Sequence, residues 1–294
     1  MSYENHSSDS SSASPFDRFD RFGFSHLLAS TVVLVAATIL LGVAAKATGS
    51  GLACDANWPL CDGGVLNLFP ANFPSFFEWI HRVVAMVAGF FIIGTALAAW
   101  RTKAVDRSIT YAVTLGLVLT PVQVTLGRET VLSYEMPILS LHFWTAVVIF
   151  ALFVVSAILV WAHRLTTTHV TLALGVGAIA VPLHVVLSPL FIDSYTPVVQ
   201  TAQYAAVLTL LSAVSLAAIV GRRRYDSPLL SSLVAATPVL AVAVLFLGRR
   251  AVMQFAPALD ALYALTALVL FATLLAGTVL SRRAVPAAGE ALAP

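Results

Sequence analysis

Of 294 residues, 59% are hydrophobic and only 10% charged, against roughly 25% charged in an ordinary soluble domain, so most of this chain is built for lipid surroundings. The net charge of +2, with basic residues in small clusters, lacks the dense basic face that nucleic-acid binding requires. Two cysteines are too few for a disulfide scaffold and enough for one bridge.

Residues 1–25 are polar and Ser-rich, with Asp17, Arg18, Asp20 and Arg21 alternating in sign, the composition of a disordered tail. The apolar run that follows is about 20 residues long, beyond the h-region of a signal peptide, and reads as a transmembrane helix. A span needs about 20 mostly apolar residues. Eight runs qualify: 26–46, 76–100, 109–127, 138–162, 169–191, 197–220, 229–248 and 257–280. Pro121, Pro182 and Pro238 fall within spans, where neighbouring helices accommodate them. A short tail, 284–294, closes the chain.

Lys and Arg fix the expected orientation. With the N-terminus in the cytoplasm, Arg18, Arg21, Arg101, Lys103, Arg107, Arg164, Arg222, Arg223, Arg224, Arg282 and Arg283 lie inside, and Lys46, Arg82, Arg128, Arg249 and Arg250 outside. The chain is therefore expected to be a multi-pass protein of the cell membrane with both termini cytoplasmic. Its longest loop, 47–75, then lies outside and contains Cys54, Trp58 and Cys61 among Gly, Pro and Asn residues. Oxidising surroundings permit a disulfide there, and a loop of that length is usually functional or disordered.

The second span opens with Phe-Phe-Glu78-Trp-Ile-His81-Arg82. Glu78, His81 and Arg82 stand at i, i+3 and i+4, on one helix face, and ionisable groups within a span turn toward the bundle interior, a cavity or a partner. The fourth span supplies His142 in Leu-His-Phe-Trp. Both histidines fall roughly 8–9 Å below the same boundary on helices running in the same direction. Two imidazoles so placed can clasp a planar metal macrocycle. Blander readings stand beside this one: a lone intramembrane His often hydrogen-bonds a neighbouring helix, and Glu78 with Arg82 makes an i, i+4 ion pair. The matched depths favour haem. His184, in the fifth span, has no evident partner and reads as structural.

These residues together resemble the haem A synthase family. Thr48-Gly-Ser-Gly51-Leu-Ala-Cys54 and Trp58-Pro-Leu-Cys61 look like its first outer loop, Glu78-Trp-Ile-His81-Arg82 matches its Glu-x-x-His-Arg motif, and Gln123, Gly127 and His142 are similar to its third and fourth helices. The resemblance covers roughly residues 30–150. It implies an all-α integral membrane protein of about eight transmembrane helices, arranged as two pseudo-repeated four-helix bundles: 26–164, holding the substrate haem, and 165–283. It also implies an activity, oxidation of the C8 methyl of haem O to a formyl group with oxygen from water, giving haem A for a terminal oxidase. His81 and His142 would ligate the haem iron, Glu78 would be the catalytic acidic residue, and Arg82 is a candidate partner for a haem propionate. Cys54 and Cys61 would pair, as a structural or a redox-sensitive bridge. Haem O synthase and the terminal oxidase are the implied pathway neighbours; the electron acceptor is not identified.

The second half departs from the family's pattern of a haem b between two further histidines. Pro197-Val-Val-Gln200-Thr-Ala-Gln203 resembles the opening of the second span, with Gln200 at the place of Glu78 and Gln203 at that of His81; Leu262, five residues after Pro257, stands where His142 would be. Gln203 and Leu262 cannot hold haem b in the bis-His manner, so 165–283 is expected to complete the bundle structurally. The competing function is a b-type cytochrome or haem carrier that leaves its haem unmodified. Glu78 discriminates, because an electron carrier has no need of a carboxylate one turn from its ligand. A transporter ranks last, as the polar residues lie near one face and no span is broken at its centre.

Overall fold

The computed structural model describes residues 23–54, 58, 61, 69–70, 72–133, 135–253 and 256–284; the tails read as 1–25 and 284–294 lie almost wholly outside the described residues. Among the described residues eight α-helices follow one another: α1 Phe24–Ala47, α2 Phe73–Arg101, α3 Arg107–Leu132, α4 Met136–Trp161, α5 Thr167–Val186, α6 Pro197–Arg224, α7 Pro228–Met253 and α8 Pro257–Arg283. All eight are long and apolar enough to cross a membrane, and the described residues contain no strand. In hydrocarbon no water satisfies a bare amide, so a helix, which pairs its own backbone groups, is the open-chain structure that survives there.

The helix starts are written in local chemistry. Asn72 caps α2 by accepting the Ser75 amide at 2.9 Å, and Asp106 caps α3 by accepting that of Ser108 at 2.7 Å; the Ser108 hydrogen bonds hold the Asp106 carboxyl below its ordinary pKa. Thr196 caps α6 through Val199, and α4, α6 and α8 each carry Pro in their first turn, where the missing N–H has no intrahelical partner to lose. Most helices outrun their predicted spans by a few residues. The fifth instead stops at Val186, short of the predicted 191. Pro189 disfavours a helical Ser188, whose hydroxyl turns back to the Val185 carbonyl at 2.6 Å.

The same ring of contacts occurs twice. α1 packs on α2 and α4, and α3 on α2 and α4; α5 packs on α6 and α8, and α7 on α6 and α8. α6 lies against α1 and α4 and joins the rings; it buries more of its span than any other helix. Lipid tails are as apolar as Leu, so helices adhere through close packing and polar contacts rather than through exclusion of water. Gly177 admits Leu274 and Leu210, and Gly221 admits Val234 and Val170. Thr31 and Thr95 share a hydrogen bond of 2.8 Å across α1 and α2, and Thr171 donates to Ser281 at 2.8 Å across α5 and α8.

The tightest approach joins α3 and α4: a Cβ on Gly116 would stand 2.6 Å from the buried Phe153 ring. Gly116→Ala is expected to lower the thermal midpoint of the detergent-solubilised protein, at a cost of roughly 1–3 kcal/mol. Gly89→Ala, whose Cβ meets nothing within 4 Å, is the matched control. Equal midpoints for the two variants would show that the α3–α4 contact does not limit stability.

Candidate functional site

Asn72 sets the start of α2, so Glu78, His81 and Arg82 fall in its second and third turns with their side chains on one face. Glu78 is buried, 7% exposed, and its Oε1 accepts a hydrogen bond from Arg82 Nε at 2.9 Å. A carboxylate this far from water needs an opposite charge beside it, and Arg82 supplies one. The chain after α1 covers the pair. Gly49 turns with φ 71°, a left-handed conformation that costs Gly little, into a 3₁₀ turn, Ser50–Leu52. A Cβ on Gly51 would lie 3.9 Å from Glu78 Oε2.

This cover is fastened at two places. The Ser75 hydroxyl donates to the Ala53 carbonyl at 2.9 Å. Cys54 and Cys61 form a disulfide that is fully buried, with their sulfurs 4.0 and 3.9 Å from the Ser75 carbonyl oxygen. The bridge therefore presses the loop onto the first turn of α2, three residues before Glu78.

The two histidines of the first ring face its interior from α2 and α4. The His81 ring lies against α1 where a side chain on Gly42 would be: a Cβ there would stand 3.0 Å from Cε1. Its Nδ1 is buried without a hydrogen bond. His142 lies in the same way against Gly127 of α3, again at 3.0 Å. Gln123 brackets it, with the backbone carbonyl 3.2 Å from Nδ1 and the side-chain amide nitrogen 3.3 Å from Nε2. The structure thus brings Glu78, His81, Arg82 and His142 into one ring, under the loop that Cys54 and Cys61 close. An orphaned imidazole nitrogen and two glycine clefts that hold rings fit a macrocycle ligand. Gly42 was not singled out in the sequence; its signal is a glycine inside an apolar helix, four residues before Lys46.

The second ring is built differently. Gln203 is buried; its amide donates to the His184 carbonyl at 3.1 Å, and its carbonyl accepts from the Tyr195 hydroxyl. Burial beside Tyr204 and Tyr263 pushes the Tyr195 phenol above its ordinary pKa. Leu262, matched to His142 by spacing, is 47% exposed and points outward. The inward position belongs to the next residue, Tyr263, which is fully buried. Leu247-Gly248-Arg249 repeats Leu126-Gly127-Arg128, and a Cβ on Gly248 would meet the Tyr263 ring at 3.0 Å and His184 Nε2 at 3.2 Å. Tyr263 and His184 thus fill the cleft that His142 fills in the first ring, and the spacing comparison is corrected by one residue. These residues do not fit a haem held between two histidines. His184 is buried, as its structural reading expects, but neither ring nitrogen has a hydrogen bond.

Residues 25–192 match the cytochrome oxidase assembly protein family, COX15-CtaA. The chain belongs to this family. Over 133 residues it is 29% identical to the Heme A synthase of Bacillus licheniformis, covering 45% of this chain and 43% of the relative. Over 160 residues it is 28% identical to the Heme A synthase of Bacillus pumilus, covering 53% and 51%. It is also 37% identical over 134 residues to the Protoheme IX farnesyltransferase of Halobacterium salinarum, covering 45% of this chain and 28% of that protein. The chain spans about half or less of the length of these curated relatives. The COX15-CtaA match takes in α1 to α5, including every residue of the first-ring site.

The clamp in this COX15-CtaA member makes a prediction. With serine at both Cys54 and Cys61, hydrogen exchange is expected to speed up over 73–78 and to stay unchanged in α6 and α8. Unchanged exchange at the start of α2 would mean that the disulfide does not hold the cover down.

Proposed function

We propose that this protein is a haem A synthase, oxidising the C8 methyl group of haem O to a formyl group in two two-electron steps, with water as the oxygen source. The observation that carries this reading is Glu78: a buried carboxylate one turn from His81, tied to Arg82 and roofed by Gly49–Leu52. An electron-carrying cytochrome gains nothing from a carboxylate so placed. The similarity to proteins named Heme A synthase supports the same reading. The match to a protoheme IX farnesyltransferase covers about a quarter of that protein; it supports a link to the step that makes haem O and leaves prenyl transfer as the weaker reading.

In this proposal His81 and His142 would hold the iron of the substrate haem, and the glycines at 42 and 127 leave room for their rings. Gln123 orients His142 through its backbone carbonyl at Nδ1, and its side-chain amide, now at Nε2, would give way to the iron. Removing electrons and protons from the methyl group leaves positive character on carbon. Glu78 stabilises that charge in a site of low dielectric and accepts a proton from the attacking water. The overall change, methyl plus water to formyl, releases four electrons and four protons. The reaction requires an oxidant that takes these four electrons, either an external acceptor or a haem held otherwise than between two histidines, with His184 as a candidate ligand. The loop with the disulfide faces the outside of the cell membrane and both termini face the cytoplasm, the arrangement that the Lys and Arg distribution favours. Residues 26–164 form the catalytic half and 165–283 the supporting half. Haem O synthase and the terminal oxidase are its proposed neighbours.

The test is to express the chain with a supply of haem O, extract the haem and identify it by mass. Wild type is expected to hold haem A or its hydroxylated precursor. Glu78→Gln is expected to form roughly 10²–10³-fold less, on the scale of removing one preorganised electrostatic group, while its bis-imidazole absorption spectrum persists. Unmodified haem in wild type, with an acceptor present and the same spectrum, would establish the cytochrome or carrier instead.

A further inference from the structure

Two cations at the loop end of the bundle have no carboxylate within ion-pair distance among the described residues: Lys46 and Arg249. Lys46 is in the last turn of α1, four residues beyond Gly42. It therefore lies on the same helix face, one turn further out than the glycine against which His81 packs. Arg249 is on α7, in the second ring, yet it reaches into the first. Its guanidinium lies over the Phe143 ring at 4.4 Å, next in sequence to His142. One terminal nitrogen is 3.5 Å from the Leu139 carbonyl of α4, and the other is 3.4 Å from the Tyr204 hydroxyl of α6. Its Nε is buried with no hydrogen bond.

A guanidinium whose Nε is buried without a partner is stabilised by an anion beside it, and Lys46, exposed one turn beyond Gly42, adds a second positive charge at the rim. Glu78 does not serve, because Arg82 already engages it. Beside the Glu78–Arg82 pair stand Lys46 from the first ring and Arg249 from the second. A haem carries two propionate carboxylates on one edge. We infer that Lys46 and Arg249 form the seat for the propionate edge of the substrate haem, so that α7 of the second ring completes the binding site of the first. This rests on the proposed haem reading of His81 and His142. It assigns a positioning role to the half that lacks haem ligands, and it makes the substrate class a macrocycle with free carboxylates. Both side chains suit such a seat, since the guanidinium can fork onto a carboxylate and the Lys ammonium acts as a point charge on a flexible stem.

The experiment is a Soret titration of the purified haem-free protein with iron protoporphyrin IX and with its dimethyl ester, which keeps the ring and the iron but neutralises both carboxylates. Wild type is expected to bind the free acid at least roughly tenfold more tightly than the ester, the scale of one charge-assisted hydrogen bond. Lys46→Gln and Arg249→Gln should each shrink that ratio, and the double variant should remove it, with the bis-imidazole spectrum retained throughout. Arg249→Lys should keep most of the ratio, which a purely structural arginine would not. Equal binding of acid and ester by wild type, or wild-type discrimination in the double variant, overturns the seat while leaving the haem reading intact. Absence of a bis-imidazole spectrum in wild type with either ligand overturns both. The wild-type comparison needs no substitution, so a poorly folding variant cannot hide the answer.

Discussion

Inside a helical bundle that faces lipid, a polar side chain has no water to fall back on, and the interior of this protein is arranged around that constraint. Glu78 is held by Arg82, His142 by Gln123, and Gln203 by Tyr195 and the His184 carbonyl. The buried atoms left without regular hydrogen bonds include His81 Nδ1, both nitrogens of His184 and Arg249 Nε. All of these residues sit at one end of the bundle, where α1, α3, α5 and α7 finish and α2, α4, α6 and α8 begin. The opposite end carries the Arg-rich turns and no such cluster among the described residues. Buried polar atoms without partners mark a place where a ligand or ordered water completes the structure, and here that place is shared by both rings.

The two rings use one packing plan for different ends. In the first, glycines at 42 and 127 keep space for imidazole rings from the neighbouring helices. In the second, Gly248 keeps equivalent space, which Tyr263 and His184 occupy, and Gln203 is tied into a local network. A hydrogen-bonded glutamine and a tyrosine packed into the cleft stand where the first ring has its two histidines. From this ring Arg249 extends back to α4 of the first, past Tyr204 of α6.

The cover over Glu78 depends on the loop as much as on the helices. A left-handed Gly49, the short turn after it, the Ser75–Ala53 hydrogen bond and the disulfide on the Ser75 carbonyl act on one stretch of chain. Excluding water from a carboxylate strengthens its electrostatic effect on anything bound beside it. The disulfide thus matters to the site through the position of the loop, without touching Glu78.

Much of this was legible along the chain, because it follows from local rules. The number of helices and their approximate ends come from hydropathy and length, and Glu78, His81 and Arg82 share a face through the 3.6-residue period alone. The Cys pair, Gln123 and His142 stood out by their motif. Contacts between helices were not legible, since they depend on how each helix is rotated about its own axis. One residue changes that rotation by about 100°, which is why spacing selected Leu262 where the structure turns Tyr263 inward. It is also why Gly42 as the rest for His81, Ser75 as the seat of the disulfide and Arg249 over Phe143 came into view only in three dimensions. The sequence by itself determined an eight-helix membrane protein with a carboxylate and a histidine on one helix face; the tertiary structure decided which side chains from other helices meet them.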